Sequence, residues 1–133
     1  MITISLCMIV KNEEQVLSRC LDSLVGLMDE IIIVDTGSCD RTREIAARYT
    51  DKIYDYIWKD DFADARNFAF SKASMEYIYT ADADEVLDNE NREQFRLLKE
   101  AMVPEVEIVQ MKYVTKNEFN TVLNFKEEYR PKL

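Results

Sequence analysis

Ile2 to Val10 is an almost unbroken apolar run, Ile-Thr-Ile-Ser-Leu-Cys-Met-Ile-Val. A charge-free run of this kind reads as a strand buried on both faces, as in a parallel sheet. Lys11-Asn12-Glu13-Glu14 follows, and Leu17, Cys20, Leu21, Leu24, Leu27 and Met28 then recur at helical spacing. Asn12 is a good N-cap and two glutamates suit the positive end of a helix, which predicts a helix of about four turns from there. Glu30 to Asp35, through Ile31-Ile32-Ile33-Val34, is a second buried strand that terminates in an aspartate.

The alternation continues. Thr36-Gly37-Ser38-Cys39-Asp40 is a polar turn, with Ser38 or Asp40 able to cap a helix over Arg41 to Tyr49. Lys52 to Trp58 predicts a third strand, Asp60 or Asp61 caps a helix from Phe62 to Ala73, and Tyr77 to Ala81 is a fourth strand. Asp88 caps a helix across Asn89 to Met102, and Glu107 to Thr115 with Thr121 to Phe125 predicts an antiparallel pair around Lys116-Asn117-Glu118-Phe119-Asn120. Strands alternating with helices imply βαβ units and a mostly parallel sheet. The closing strands are expected to extend or edge that sheet.

Composition narrows the class. A chain of 133 residues suits one domain that buries on the order of two thirds of its surface. With 47% hydrophobic and 32% charged residues, and Gly and Pro at two each, neither disorder nor a linker is expected. The formal charge of −9 repels nucleic-acid phosphates, so nucleic acid is not an expected partner. The same field opposes a nucleotide, so a phosphate site must bring local positive charge from a metal, a Lys or an Arg. Three spaced cysteines, Cys7, Cys20 and Cys39, and no histidine exclude a structural zinc pattern; Cys7 and Cys20 fall at core positions. Reduced thiols, the lack of a signal-peptide pattern and the lack of a membrane-span run lead to the expectation of a soluble, cytoplasmic domain.

In open α/β sheets ligands bind outside the carboxyl ends of the strands, near the point where strand order reverses. Lys11, Asn12 and Glu13 follow the first strand, Asp35 the second, and Asp82-Ala83-Asp84-Glu85 the fourth. Two aspartates one residue apart are oxygen ligands for a hard divalent cation, which in phosphate sites is held by one or two carboxylates plus phosphate oxygens. Arg66, in the alanine-rich helix start Ala63-Asp64-Ala65-Arg66-Asn67, offers planar donors for phosphate, carboxylate or carbonyl. It could equally be an exposed arginine pairing with Asp61 or Asp64. Asn12, Glu14, Asp40 and Asp88 read more simply as caps or solvated loop residues, whereas Asp35 and Asp84 read as functional.

Four blocks, Ser5-Leu6-Cys7-Met8-Ile9-Val10-Lys11-Asn12-Glu13-Glu14, Ile33-Val34-Asp35-Thr36-Gly37-Ser38-Cys39-Asp40-Arg41-Thr42, Ala65-Arg66-Asn67 and Ala81-Asp82-Ala83-Asp84-Glu85, agree in order and spacing. Together they strongly resemble the family 2 glycosyltransferases of GT-A fold, over about residues 2 to 100. The resemblance implies a Rossmann-like three-layer α/β sandwich with a mostly parallel central sheet. It also implies transfer of a sugar, with inversion, from a nucleotide-diphosphate donor, UDP-sugar being expected, to a glycan, lipid or protein acceptor that the sequence does not identify. By the same resemblance the loop from Ile9 through Lys11 to Glu13 cradles the base, Asp35 accepts a hydrogen bond from it, and Arg66 lies beside it. Asp82 lies toward the ribose, and Asp84, with Asp82, serves an Mn²⁺ or Mg²⁺ that bridges the diphosphate.

The family's acceptor base comes from a later, acceptor-binding half, of which residues 101–133 resemble the beginning. The base is therefore expected beyond Leu133, in a chain expected to be truncated. Lys11 stands where many relatives carry an aromatic residue that stacks on the base; a lysine there can approach a phosphate instead. Asp82-Ala83-Asp84-Glu85-Val86 also resembles the nucleophile motif of haloacid-dehalogenase-like phosphatases. A nucleotidyltransferase, or a nucleotide-sugar-binding fragment without turnover, would also carry an aspartate pair on such a sheet. An EF-hand is not expected, because Leu87 occupies the position where that loop needs Gly.

Overall fold

The computed structural model describes residues 1–102 and the backbone of strands 110–115, 121–124 and 129–131. The expected turn at Lys116 to Asn120, the start of the strand at Glu107 and its partner's end at Phe125 lie outside the described residues.

The first sheet is built from β1 (Ile4–Val10), β2 (Glu30–Asp35), β3 (Ile53–Asp55) and β4 (Tyr77–Thr80). Its order is β3-β2-β1-β4 and it is parallel throughout. Side chains alternate across β1, and each face meets its own cluster. Ile4, Leu6, Met8 and Val10 pack with α1 (Leu17–Leu24), α2 (Thr42–Ala46) and α4 (Asn89–Ala101), while Cys7 packs with Ile32, Val34 and the buried Ala65 and Ala69 of α3 (Phe62–Ser71). The result is a three-layer α/β sandwich, as expected. Burial on both faces is what makes β1 and β2 read as continuous apolar runs. On one face Phe95 of α4 meets Tyr79 of β4 edge to face, ring centroids 5.3 Å apart, both fully buried. None of the described helices is long and apolar enough to cross a membrane.

Several boundaries differ from expectation. Asn12 does not cap α1: its φ is +53°, in the left-handed region, and its amide is engaged by the loop after β2. The chain instead turns over residues 13–16, with Val16 N–H and Leu17 N–H both donating to the Glu13 carbonyl, so α1 starts at Leu17 and is eight residues long. It ends before Gly26, at φ +87°, and Arg92 of α4 donates to the carbonyls of Ser23 and Val25, supplying the cation that suits a helix C-terminus. α2 covers five residues rather than reaching Tyr49, and β3 stops at Asp55. Asp61 and Asp88 cap α3 and α4 as expected, accepting from Asp64 N–H and Asn91 N–H.

The closing strands neither extend nor edge the first sheet. β6 (Gln110–Thr115) and β7 (Thr121–Asn124) pair antiparallel as expected, but they join β5 (Glu85–Val86) and β8 (Tyr129–Pro131) in a second sheet of order β5-β7-β6-β8. Neither short strand has a sequence signal, since two or three residues carry no periodicity.

At the amino edge of the first sheet, buried Glu30 ties three elements together. Its carboxylate accepts from Ser5 Oγ at 2.7 Å, Ser74 N–H at 2.9 Å, Ser74 Oγ at 2.7 Å and Lys52 Nζ at 2.5 Å. Burial alone raises this carboxyl, but the hydrogen bonds from Lys52, Ser5 and Ser74 outweigh it and bring it down from 4.5 to about 2. A carboxyl whose folded value lies below its unfolded value contributes stability above the unfolded value and loses it as pH falls toward the folded one. Denaturation measured between neutral pH and about pH 2 is expected to show Glu30→Gln with a shallower acid dependence than wild type below pH 4.5. At neutral pH the variant should lose about 2–4 kcal/mol, because the network keeps donors it can no longer satisfy. An unchanged acid dependence in the variant would refute the assignment.

Candidate functional site

The polar positions that follow the strands converge on one edge. Register pairs Val10 with Asp35 and Asp35 with Asp55, so β1, β2 and β3 end level. β4 pairs its Thr80 with Cys7, which carries residues 81–84 along the end of β1. Strand order runs outward from β1 to β2 and β3 on one side and returns to β4 on the other. The switch point between β1 and β4, where α/β sheets open a crevice, is therefore bordered by the Lys11–Glu14 loop and the Asp82–Asp84 turn. Ile9 is half-buried near the end of β1, Lys11 is exposed and Glu13 is half-buried.

The loop after β1 and the loop after β2 are stitched together. Asn12 N–H donates to Ser38 Oγ at 2.9 Å, and Cys39 N–H donates to Asn12 Oδ1 at 2.7 Å. Glu13 N–H donates to Thr42 Oγ1 at 2.8 Å and Glu14 N–H to Asp40 Oδ2 at 3.3 Å, while Asp40 Oδ1 accepts from Thr42 N–H at 2.9 Å. Asn12, Ser38, Asp40 and Thr42 thus hold the site loops rather than face a ligand. Reading Asn12 as a helix cap missed this role; the signal available was asparagine's tolerance of left-handed backbone.

Asp35 is buried, with 3% of its surface exposed. It accepts from Gly37 N–H at 3.3 Å, Ser38 N–H at 3.1 Å and Ser38 Oγ at 2.5 Å, with Arg43 at 3.8 Å. Gly37 sits at φ +108°, which lets the turn fold back onto the carboxylate. Two carboxylate oxygens offer about four lone-pair positions. Three hydrogen bonds therefore leave room at Asp35 for one further donor.

Asp82 and Asp84 are exposed while Ala81, Ala83 and Glu85 between and beside them are buried. Glu13 shares their field: burial first, then the charges of Asp84, Asp82 and Asp40, raise its carboxyl above the usual range. Among the described residues no Lys or Arg pairs with Asp82 or Asp84, and no three metal-capable side chains converge on one point. Exposed, oxygen-only and lacking a protein cation, the pair fits a hard divalent ion whose coordination is completed by phosphate oxygens and water. A closed all-protein cage is not what this turn offers.

Arg66 lies on α3, exposed, with its guanidinium 5.2 Å from the Phe62 ring centroid. The ion pair with Asp61 or Asp64 considered from sequence does not form: Asp64 bonds the Tyr56 hydroxyl and lies 3.7 Å from Lys59, and Asp61 caps the helix. Nor does the structure pair Arg66 with Asp35, Asp82 or Asp84. Trp58 packs edge to face on Phe62, centroids 5.9 Å apart, in the segment that leaves β3 at the same sheet edge.

The family described as Glycosyl transferase family 2 matches residues 5–131 of the chain. A TPR repeat-containing protein of Synechococcus elongatus is 47% identical over 87 residues, 65% of this chain and 22% of that protein. The SPbeta prophage-derived glycosyltransferase SunS of Bacillus subtilis is 38% identical over 92 residues, 68% of this chain and 22% of its own length. The chain thus spans well under half of these curated relatives. Glucosyl-3-phosphoglycerate synthase from Mycobacterium tuberculosis, solved with Mn²⁺ and UDP-glucose, matches with TM-score 0.53 and 26% identity over 62% of this chain and 33% of its own. The same enzyme was solved with Mg²⁺ and UDP.

The stitching of the two loops has a direct test in stability. Asn12→Ala is expected to cost about 1–3 kcal/mol in denaturant unfolding, from the lost Cys39 N–H to Oδ1 hydrogen bond and a strained φ. Asn12→Gly, which accepts φ +53°, should cost less; equal losses in the two variants would contradict the backbone part of the account.

Proposed function

The chain belongs to glycosyltransferase family 2, and on that premise we propose that its carboxyl edge binds a nucleotide-diphosphate sugar, a UDP-sugar, together with Mn²⁺ or Mg²⁺. Transfer of that sugar, with inversion, is the activity this reading assigns. The observation that carries the reading is the exposed Asp82–Asp84 turn across the strand-order switch from the Lys11–Glu14 loop, in a chain that matches a solved enzyme holding Mn²⁺ and UDP-glucose. Family membership argues against a phosphatase or a nucleotidyltransferase.

Each part of the edge has a chemical task in this reading. The open lone pair of Asp35 accepts an N–H from the base, and the loop from Ile9 to Glu13 borders the nucleoside. Exposed Lys11 is free to approach the diphosphate, and Arg66 adds a second cation, held over Phe62. Asp82 faces the ribose, and Asp84, with Asp82, holds the metal. Bound there, the ion would act as a Lewis acid on the diphosphate leaving group, sparing the protein a leaving-group acid. Glu13, whose carboxyl is raised first by burial and then by its acidic neighbours, is relieved when a cation enters. The base that deprotonates the acceptor hydroxyl is assigned to the acceptor-binding part, and with it the choice of acceptor.

UDP with Mn²⁺ should raise the melting temperature of the chain by several degrees, as about 2.7 kcal/mol is expected at a ligand concentration 100-fold above Kd. Asp84→Asn should abolish the metal-dependent part of that shift. Equal shifts in wild type and Asp84→Asn would remove the metal assignment, and a shift given by inorganic phosphate alone would count against a nucleotide site.

A further inference from the structure

Glu85 is a carboxylic acid with 2% of its surface exposed, one residue beyond the acidic turn and facing the interior side that Ala81 and Ala83 also face. A buried carboxyl is costly unless hydrogen-bonded, and one oxygen of this one serves the turn. Glu85 Oε1 accepts the backbone N–H of Asp82 at 3.1 Å, and Glu85 N–H donates back to the Asp82 carbonyl at 2.9 Å. The thiol of Cys20, from α1, reaches the same carbonyl at 3.6 Å. Both backbone polar groups of Asp82 are thereby fixed from beneath. The reciprocal pattern, in which a side chain three residues on returns to a backbone N–H, is that of a capping box without its helix.

The consequence falls on direction. With Asp82 N–H and C=O held inward, the Asp82 and Asp84 side chains leave on the opposite, exposed side. Glu85 also begins β5, where it is paired in register with Thr121 of the second sheet. One residue therefore holds the acidic turn through its side chain and starts the second sheet through its backbone.

We propose that Glu85 is a positioning residue for the metal-diphosphate grip, setting the geometry with which Asp82 and Asp84 meet a divalent cation; the inference rests on the nucleotide-sugar reading of the site. Groups that orient metal ligands from behind typically control metal affinity by about 10–100-fold. Glu85→Gln keeps an acceptor oxygen for Asp82 N–H, whereas Glu85→Ala removes it.

Three readouts on wild type, Glu85→Gln and Glu85→Ala test this: amide hydrogen exchange at Asp82 without ligand, calorimetric affinity for UDP with Mn²⁺, and affinity for uridine without metal. Glu85→Ala should exchange the Asp82 amide faster and bind Mn²⁺–UDP about 10–100-fold more weakly, with Glu85→Gln near wild type and uridine binding equal in all three. Unchanged Mn²⁺–UDP affinity in Glu85→Ala, or a parallel loss of uridine binding, would overturn the positioning role. A wild-type chain that binds neither ligand would overturn the functional reading itself, and the exchange rate at Asp82 would still decide whether Glu85 clamps the turn.

Discussion

Parallel pairing of β1 with β2 on one side and β4 on the other is the constraint on which the site depends. Parallel strands need a crossover each, so every strand of this sheet ends on the same edge, and whatever polar residues follow them are gathered there. Because β1 is central and buried on both faces, its sequence is given over to packing and leaves chemistry to the loops. The order reversal between β1 and β4 opens the edge at one place, and the Lys11–Glu14 loop and the Asp82–Asp84 turn stand on its two sides. Loops alone would be mobile at such an edge; the Asn12–Ser38–Cys39 and Glu13–Thr42 hydrogen bonds fix them to each other.

Charge is distributed with the same logic. In a chain of net charge −9, several cations are committed to structure away from the carboxyl edge. Lys52 serves Glu30, Lys99 serves the Leu27 carbonyl and Asp29, and Arg92 closes the end of α1. Asp82 and Asp84 are left without a protein cation among the described residues, and the Glu13 carboxyl beside them is raised, by burial first and by their charges second. Such clustering costs stability in isolation. A divalent cation would relieve it, which ties the proposed ligand to the acidity that otherwise opposes a nucleotide.

Much of this was legible in the primary structure. Buried parallel strands announce themselves as uninterrupted apolar runs, so β1 and β2 were readable, and Asp61 and Asp88 were readable as caps because their partners lie three residues away. What was hidden depends on distance in sequence. Asn12 is a sensible N-cap until a loop 26 residues later takes its amide, and helix α1 then has to begin further on. The second sheet hangs on β5, two residues whose pairing with β7 has no local signature. In sequence Glu85 is one more acid in an acidic turn; only its burial shows that it holds the turn up. Gathering Ile9, Lys11, Glu13, Asp35, Asp82 and Asp84 at one edge followed from topology, whereas the exposure of Arg66 over Phe62 could not be read from spacing.

A nucleotide diphosphate and its metal are proposed to sit at the β1–β4 switch point. A crystal structure of the chain grown with UDP and Mn²⁺ tests it most directly. The expected result is a metal ion held by Asp84 at the diphosphate, with the uracil ring against the Ile9–Glu13 loop and an N–H directed at Asp35. A nucleotide bound away from the β1–β4 switch point, or bound there with the metal coordinated by neither Asp82 nor Asp84, would contradict it.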